Sequence, residues 1–324
     1  MIDKEGRVID YVRISLTDKC NLRCVYCMPE EGVEYIPHEQ ILTFDEIVRI
    51  CRCLAELGFK KVKLTGGEPL VRKNCATLVR EIKAIPGIEK VTLTTNGILL
   101  KEQMKDLAEA GLDAVNISLD TLDPELFAKI TRCHRLEDVL AGIHEALKYP
   151  EIPTKINSVP MGQNPENFIK LAEIAKNNKV HVRFIEMMPI GYGKQFTFQG
   201  EEDIIKILEA EYGKMIPANG YFGNGPGHYY TIEGFKGKIG FISAMTHKFC
   251  SQCNRVRMTC EGFMKACLQY QDGTDLREIM RNGCTDEELK EAMTKVILNK
   301  PECHNFQEKE NDEFETRGMS QIGG

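Results

Sequence analysis

Short runs of apolar and β-branched residues recur near 9–16, 61–65, 90–94, 113–119, 154–159 and 181–187, and each predicts a strand. Helical patterns fill most of the gaps, near 74–85, 101–110, 135–148 and 165–178. The clearest is TFDEIVRICRCLAELG at 43–58: Thr43 can cap it, Asp45 and Glu46 suit its first turn, and Gly58 ends it. Alternating strands and helices imply right-handed crossovers and a parallel sheet. Six such units predict an incomplete barrel of the triosephosphate isomerase type or a doubly wound sheet. From about 214 to 246 glycines, aromatics and NGPGHYY predict hairpins. The chain is therefore divided into 1–213 and 214–324. No internal repeat or low-complexity linker interrupts it.

Polar motifs fall where the strands end. Cys20–Cys27 follow strand one, TGGEP (65–69) strand two, and TTNG (94–97) strand three. Ser118 and Asp120 close strand four, Asn157 strand five, and Glu186 and Met188 strand six. In a parallel barrel the carboxyl ends converge on one rim, where active sites lie. Singly, each motif has a plain alternative. Gly66-Gly67 can be a tight turn or a close approach of bare backbone to a ligand. Asn96-Gly97 is a common turn, Asp120 can cap the helix that begins near Pro124, and Ser118 can touch a ribose. Met187-Met188 is usually packing.

Composition narrows the class. The 324 residues carry a net charge of −6, which argues against non-specific nucleic-acid binding. The first residues, MIDKEGRVIDYVR, are charged and lack the apolar core of a signal peptide, and no apolar run approaches a membrane span. A cytoplasmic enzyme is the expectation. Thirteen cysteines are many, and their local spacings favour metal or redox chemistry over a disulfide framework.

Cys20, Cys24 and Cys27 form C-x3-C-x2-C. Three thiolates on one loop can hold three irons of a [4Fe–4S] cluster and leave the fourth open to a small molecule. The alternatives are an incomplete zinc site or unrelated thiols, although zinc loops favour C-x2-C pairs. A second group is HKFCSQCNRVRMTCEGFMKACL (247–268). Cys250, Cys253 and Cys267 could hold a cluster, or zinc with Cys260 or His247 as fourth ligand. Behind them Arg255 and Arg257 alternate, which puts both on one face of an extended segment. Two guanidinium forks beside a metal site suit a polyphosphate, whereas surface arginines are usually just solvated.

C-x3-C-x2-C with Tyr26 before its last cysteine, followed by GGEP, resembles the radical S-adenosylmethionine superfamily. YVRISLTDKCNLRCVYCMP, TGGEPLVR, TTNG, NISLDTL, RFIEMMP, FCSQCNRVRMT and the final IGG resemble, within it, the GTP 3′,8-cyclase family of molybdenum cofactor biosynthesis, from about Tyr11 to Gly324. The resemblance implies an incomplete (β/α)6 barrel, with a C-terminal segment carrying a second iron–sulfur cluster across its mouth. It implies two [4Fe–4S] clusters, on Cys20, Cys24 and Cys27 and on Cys250, Cys253 and Cys267. It places S-adenosylmethionine at Tyr26, Gly67, Ser118 and Met188. It places GTP at Arg13, Lys63, Thr94, Lys155, Arg255, Val256 and Arg257. It gives catalytic roles to Arg13, Arg255, Arg257 and the Gly323-Gly324 tail, which the family threads into the barrel.

The implied reaction is radical. One electron splits S-adenosylmethionine, the 5′-deoxyadenosyl radical removes hydrogen from C3′ of GTP, and the sugar radical attacks C8 of guanine. Reduction gives (8S)-3′,8-cyclo-7,8-dihydroguanosine 5′-triphosphate. The implied partners are GTP, an electron donor, and cyclic pyranopterin monophosphate synthase as product acceptor; a homodimer is allowed. Three features depart from the family pattern: Cys260, which could close the second cluster or simply be buried; Glu261-Gly262, where Asp-Gly is common; and Cys133 with His134 in the loop 131–138. Cys51, Cys53, Cys75, Cys284 and Cys303 read as packing or surface thiols. The competing readings are a peptide-modifying radical enzyme with an auxiliary cluster, and a non-enzymatic zinc or redox-sensing module.

Overall fold

The structure is a computed structural model and describes residues 1–197, 199–220, 222–306 and 313–323. Six parallel strands follow one another without reversal: β1 (Tyr11–Ser15), β2 (Lys61–Thr65), β3 (Lys90–Thr95), β4 (Ala114–Ser118), β5 (Thr154–Ser158) and β6 (His181–Ile185). A doubly wound sheet would reverse its strand order at a switch point. Sequential order instead curls the sheet one way, so the fold is the incomplete barrel.

The crossovers carry α1 (Phe44–Glu56), α2 (Cys75–Lys83), α3 (Leu100–Glu109), α4 (Pro124–Thr131), α5 (Leu136–Ala146) and α6 (Pro165–Asn177). Thr43 and Glu46 form a reciprocal capping box at the start of α1, as its sequence predicts. α4 is capped by Asp123, whose carboxylate accepts from the Leu126 N–H, and not by Asp120. Asp123 lies one residue before Pro124, the position from which a side chain reaches the first free amides.

Beyond β6 lie α7 (Glu201–Tyr212), β7 (Ile216–Pro217), β8 (His228–Thr231) and β9 (Ile239–Ile242). β7, β8 and β9 form the expected antiparallel hairpins, but β9 also pairs parallel with β6. β10 (Arg255–Met258) returns to the opposite edge and pairs parallel with β1. β11 (Phe263–Lys265) and β12 (Gly273–Asp275) follow as antiparallel neighbours, then α8 (Leu276–Arg281), α9 (Asp286–Leu298) and α10 (Met319–Ile322). The C-terminal segment thus extends the barrel sheet at both edges.

Strand alternation decides what the barrel encloses. Val62 and Leu64, Val91 and Leu93, Val115 and Ile117, Ile156, Val182 and Phe184 are buried in the main apolar core. Their alternates line the barrel cavity: Arg13, Lys63, Thr92, Thr94, Asn116, Ser118, Lys155, Asn157 and Arg183. An ordinary parallel barrel fills its interior with branched apolar side chains. This one encloses a cavity of about 660 Å³, into which charged and polar strand side chains project.

Candidate active site

The first cysteine loop leaves the end of β1 and is fixed from both sides. Arg23 and Val25 donate N–H groups to the carbonyls of Thr131 and Ile130, at the end of α4. Cys27 and Met28 both donate to the Cys24 carbonyl, so the loop turns back on itself. The sulfur of Cys20 accepts from the Leu22 N–H at 3.4 Å and the Asn96 amide at 3.8 Å. Burial pushes the Cys20 thiol up to about 11, Cys27 to about 12, and Cys24 well above its ordinary value. Neighbouring thiols of the same loop add to the shifts of Cys24 and Cys27.

Three such thiols can ionise together only against concentrated positive charge. Beside them, the buried Ser320 hydroxyl lies near the Cys27 sulfur but reaches no partner at hydrogen-bond geometry. Among the described residues, no three His, Cys, Asp or Glu side chains close around a single ion. Cys20, Cys24 and Cys27 all line one opening, and three thiolates on one loop can hold three irons of a [4Fe–4S] cluster.

The GGEP turn supports this loop from below. Gly67 donates to the Thr17 carbonyl at 2.6 Å, and Glu68 to the Lys19 carbonyl at 2.8 Å. A Cβ on Gly67 would press into the carbonyls of Asp18 and Lys19. The close approach expected of this glycine is therefore first to the chain leading into Cys20, although Gly66 and Gly67 also line the cavity. The Glu68 carboxylate, which burial raises to about 7, accepts from Thr95 Oγ1 and from the Asn96 and Leu70 N–H groups. Asn96 in turn holds Asn21. Gly67→Ala is expected to leave a folded protein with iron reduced toward about four per chain, the content of one [4Fe–4S] cluster. Iron analysis of the reconstituted variant checks this, and a full complement would overturn it.

Tyr26, Ser118 and Met188 line the same cavity as Gly67. The Tyr26 hydroxyl donates to Asp120 at 2.8 Å. Asp120, raised to about 6 by burial, also accepts from the Val159 N–H. Glu186 reaches the rim, but its carboxylate is engaged by Met245, Thr246 and the Thr246 hydroxyl. Met187 is buried, while Met188 beside it is half-buried.

Cys250, Cys253 and Cys267 line the same cavity as the first loop's cysteines. Their surroundings are cationic. Burial raises Cys250, but the adjoining His304 and Cys303 outweigh it and bring the thiol down to about 7. Burial likewise opposes Lys300 and Arg255, which together lower Cys253. Lys300 also donates to the carbonyls of Arg255 and Ala266, tying β10 to the residue before Cys267. Arg7 clamps the outside, donating to the carbonyls of Cys250, Pro301 and Glu302. Cys260 is fully buried beside Ser15, Asp18 and Glu261 and does not line the cavity; burial lifts its thiol to about 12. His247 is exposed and associates with Thr246 and Glu201 instead. Neither stands with the second trio.

The same cavity carries a set of cations. Arg13, Lys63, Lys155, Arg255 and Arg257 all face inward, with Thr94 beside them. Register places Arg13 directly between Arg257 and Lys63. Burial first, then mutual repulsion, depresses Arg13, holds Lys63 well below its ordinary value, and brings Lys155 to about 8 and Arg257 to about 9. Val256 turns the other way into the core, is fully buried and does not line the cavity. Arg183 joins the set and was not singled out from sequence; it donates through Nε and Nη2 to Asn157 Oδ1. Lys300 and His304 were also missed. Both ring nitrogens of His304 and Nε of Arg255 are buried at this cavity with no partner at full hydrogen-bond geometry, although the His304 ring adjoins the Cys250 thiol.

The tail closes the site. Arg257 Nη1 donates to the Gly323 carbonyl at 2.8 Å. Gly323 sits at φ +77°, against Ser15, where a Cβ would meet the Ser15 Cβ at 2.9 Å. Gly324 lies outside the described residues. Cys133 packs against the core and His134 is exposed; neither lines the cavity.

Comparison with known proteins agrees with this geometry. Residues 14–191 match the radical SAM superfamily, and residues 180–306 match the family described as Molybdenum Cofactor Synthesis C. A GTP 3′,8-cyclase of Clostridium perfringens (strain 13 / Type A) is 50% identical over 325 residues, covering 100% of both chains. Another, from Syntrophomonas wolfei, is 44% identical over 328 residues, again covering 100% of both. Among solved structures, Streptococcus suis SuiB bound to S-adenosylmethionine superposes with a TM-score of 0.60 at 18% identity, over 84% of this chain and 64% of that one. That likeness supports the fold. The chain belongs to the GTP 3′,8-cyclase family of the radical S-adenosylmethionine superfamily.

Proposed function

We propose that the chain cyclises GTP to (8S)-3′,8-cyclo-7,8-dihydroguanosine 5′-triphosphate, an early step of molybdenum cofactor biosynthesis. Cys20, Cys24 and Cys27 hold the first cluster, and Tyr26, Gly67, Ser118 and Met188 hold S-adenosylmethionine against it. Cys250, Cys253 and Cys267 hold the second. Bound together, these cofactors supply the electron and the radical chemistry. The protein's task is to hold C3′ of GTP beside the reactive carbon and keep water out.

The observation that carries the reading is the set of inward cations that shares one cavity with both cysteine sets. Arg13, Lys63, Lys155, Arg183, Arg255 and Arg257 line one buried cavity. So many desolvated like charges suit a polyanion, and a triphosphate is one. Thr94 adds a neutral contact. A peptide would not require this set, and a zinc-sensing module would not require the cavity. The reading also calls for a one-electron donor and for cyclic pyranopterin monophosphate synthase to take the product; the two-part organisation at about 213/214 and a homodimer belong to the same reading. No described helix is long and apolar enough to cross a membrane, in keeping with a cytoplasmic enzyme.

The test is anaerobic incubation of the iron-loaded protein with S-adenosylmethionine and reductant, with either GTP or peptide, followed by product analysis. Cyclised GTP is expected, and its absence would sink the reading. Arg257→Ala should keep both clusters and lose roughly 10- to 150-fold in GTP affinity or product, the effect of losing a charge-assisted contact of about 1.5–3 kcal/mol. Lysine should substitute only partly if the contact is bidentate. Wild-type binding and yield in the alanine variant would remove Arg257 from the site.

A further inference from the structure

The chain from 313 to 323 is held by two directly paired residues of one ladder. Arg257 on β10 and Lys265 on β11 are cross-strand partners. Arg257 holds the Gly323 carbonyl. Lys265 Nζ holds Glu315 Oε2, and these two side chains are 0% and 2% exposed. Arg317 adds Nε to Glu315 Oε1 at 3.0 Å and Nη2 to Oε2 at 3.1 Å, and the Glu315 N–H donates to the Gln269 carbonyl. Neither Lys265 nor Glu315 lines the cavity. Between the two grips, Gly318 lies against Gly191 and the Cys27 carbonyl, Ser320 beside the Cys27 sulfur, and Ile322 against Ile190 and Leu268.

We propose that the buried Lys265–Glu315 pair is a latch that sets the position of the tail, so that Ser320 meets the first cysteine loop and Gly323 meets Arg257. Glu315 is a positioning residue: it acts through the tail and touches no reactant. Its pairing with Lys265 fixes where the last turn starts, and eight residues later the chain must end on the neighbouring strand's arginine. Without the carboxylate, Lys265 stands buried beside two guanidiniums, and the tail loses its anchor. The link to cyclisation rests on the function proposed above; the latch itself does not.

Two variants of the full-length, cluster-loaded protein test it: Glu315→Gln, and the apolar double variant Lys265→Met with Glu315→Leu. Amide exchange over 318–323 is read without nucleotide. Cyclised GTP per 5′-deoxyadenosine is read with it. In Glu315→Gln, exchange should quicken and coupling should fall, each by about tenfold, with iron content unchanged. The double variant, which buries no charge at this pair, should recover both in part. Unchanged tail exchange in both variants would overturn the latch. Quickened exchange with intact coupling would overturn its role in the reaction. If Glu315→Gln loses iron, the double variant decides by the same two readings. Failure of GTP as substrate would leave the exchange result standing, so the two ideas fail separately.

Discussion

Cys24→Ala should abolish reductive cleavage of S-adenosylmethionine while leaving the chain folded and about four irons bound per chain. The substitution removes a thiol and little else. The turn at this position is made by the Cys24 carbonyl, which accepts from Cys27 and Met28, and alanine keeps that carbonyl. The loop's outer clamps, Arg23 and Val25 onto the end of α4, are also backbone contacts. What is lost is one of three thiols facing the same opening. Cys250, Cys253 and Cys267 stand on a different segment, held by Arg7 and Lys300, and should keep their own cluster. Iron analysis with a 5′-deoxyadenosine assay checks both halves. Cleavage retained in a variant freed of wild-type contamination would unseat the assignment of the first loop.

Much of this arrangement was legible in the sequence because it is local or periodic. The βα alternation gave a parallel sheet, barrel or doubly wound, the resemblance implied the barrel, and the R-V-R alternation turned Arg255 and Arg257 to one face. The same period-2 logic runs through β1, β2, β5 and β6, where Arg13, Lys63, Lys155 and Arg183 share the interior. Arg183 carries no motif of its own: it sits in the middle of β6, away from the strand end where the polar motif falls. Asp120 was one candidate for the helix cap as well as a rim residue, and Asp123 fills the cap; two nearby aspartates cannot be told apart until the pre-proline backbone is seen. Gly67 was left between a tight turn and a close approach to a ligand; it lines the cavity, and a Cβ there would first meet the carbonyls of Lys19 and Asp18.

Other features have no local signature. The hairpins after residue 214 were visible, but the parallel return of β9 onto β6 and of β10 onto β1 was not, because edge pairing depends on which strands are left open. Lys300 and His304 reach the second cysteine set from about fifty residues away. Lys265 and Glu315 are likewise fifty apart, and each alone reads as a surface charge. Spacing also left Cys260 open as a fourth ligand beside Cys267. Packing separates them: Cys260 is sealed under Ser15 and Asp18, whereas Cys267 opens into the cavity.

Removal of Gly323 and Gly324 should stop cyclisation far more than it stops radical formation. Terminal glycines are ordinarily dispensable. Here Gly323 is buried, at a positive φ that favours glycine, with no room for a Cβ beside Ser15. Its carbonyl takes the Arg257 guanidinium at 2.8 Å. Arg257 is crowded by Arg13 and Arg255, and burial pulls it down to about 9. A neutral acceptor at fixed distance holds that guanidinium in one orientation without neutralising the charge a triphosphate needs. Losing a hydrogen bond to a charged group costs about 1.5–3 kcal/mol, or roughly 10- to 150-fold. The cost should fall on positioning GTP. Ser320 and Ile322, upstream of the cut, keep the rest of the tail against Cys27 and Ile190. The truncated enzyme should therefore retain both clusters and still form 5′-deoxyadenosine, with cyclised GTP per cleavage reduced by that factor. Replacing Gly323 with alanine should give a smaller loss in the same direction, since it keeps the carbonyl but strains its placement. A truncated protein that makes product at the full rate would show that the Arg257–Gly323 contact has no part in the reaction.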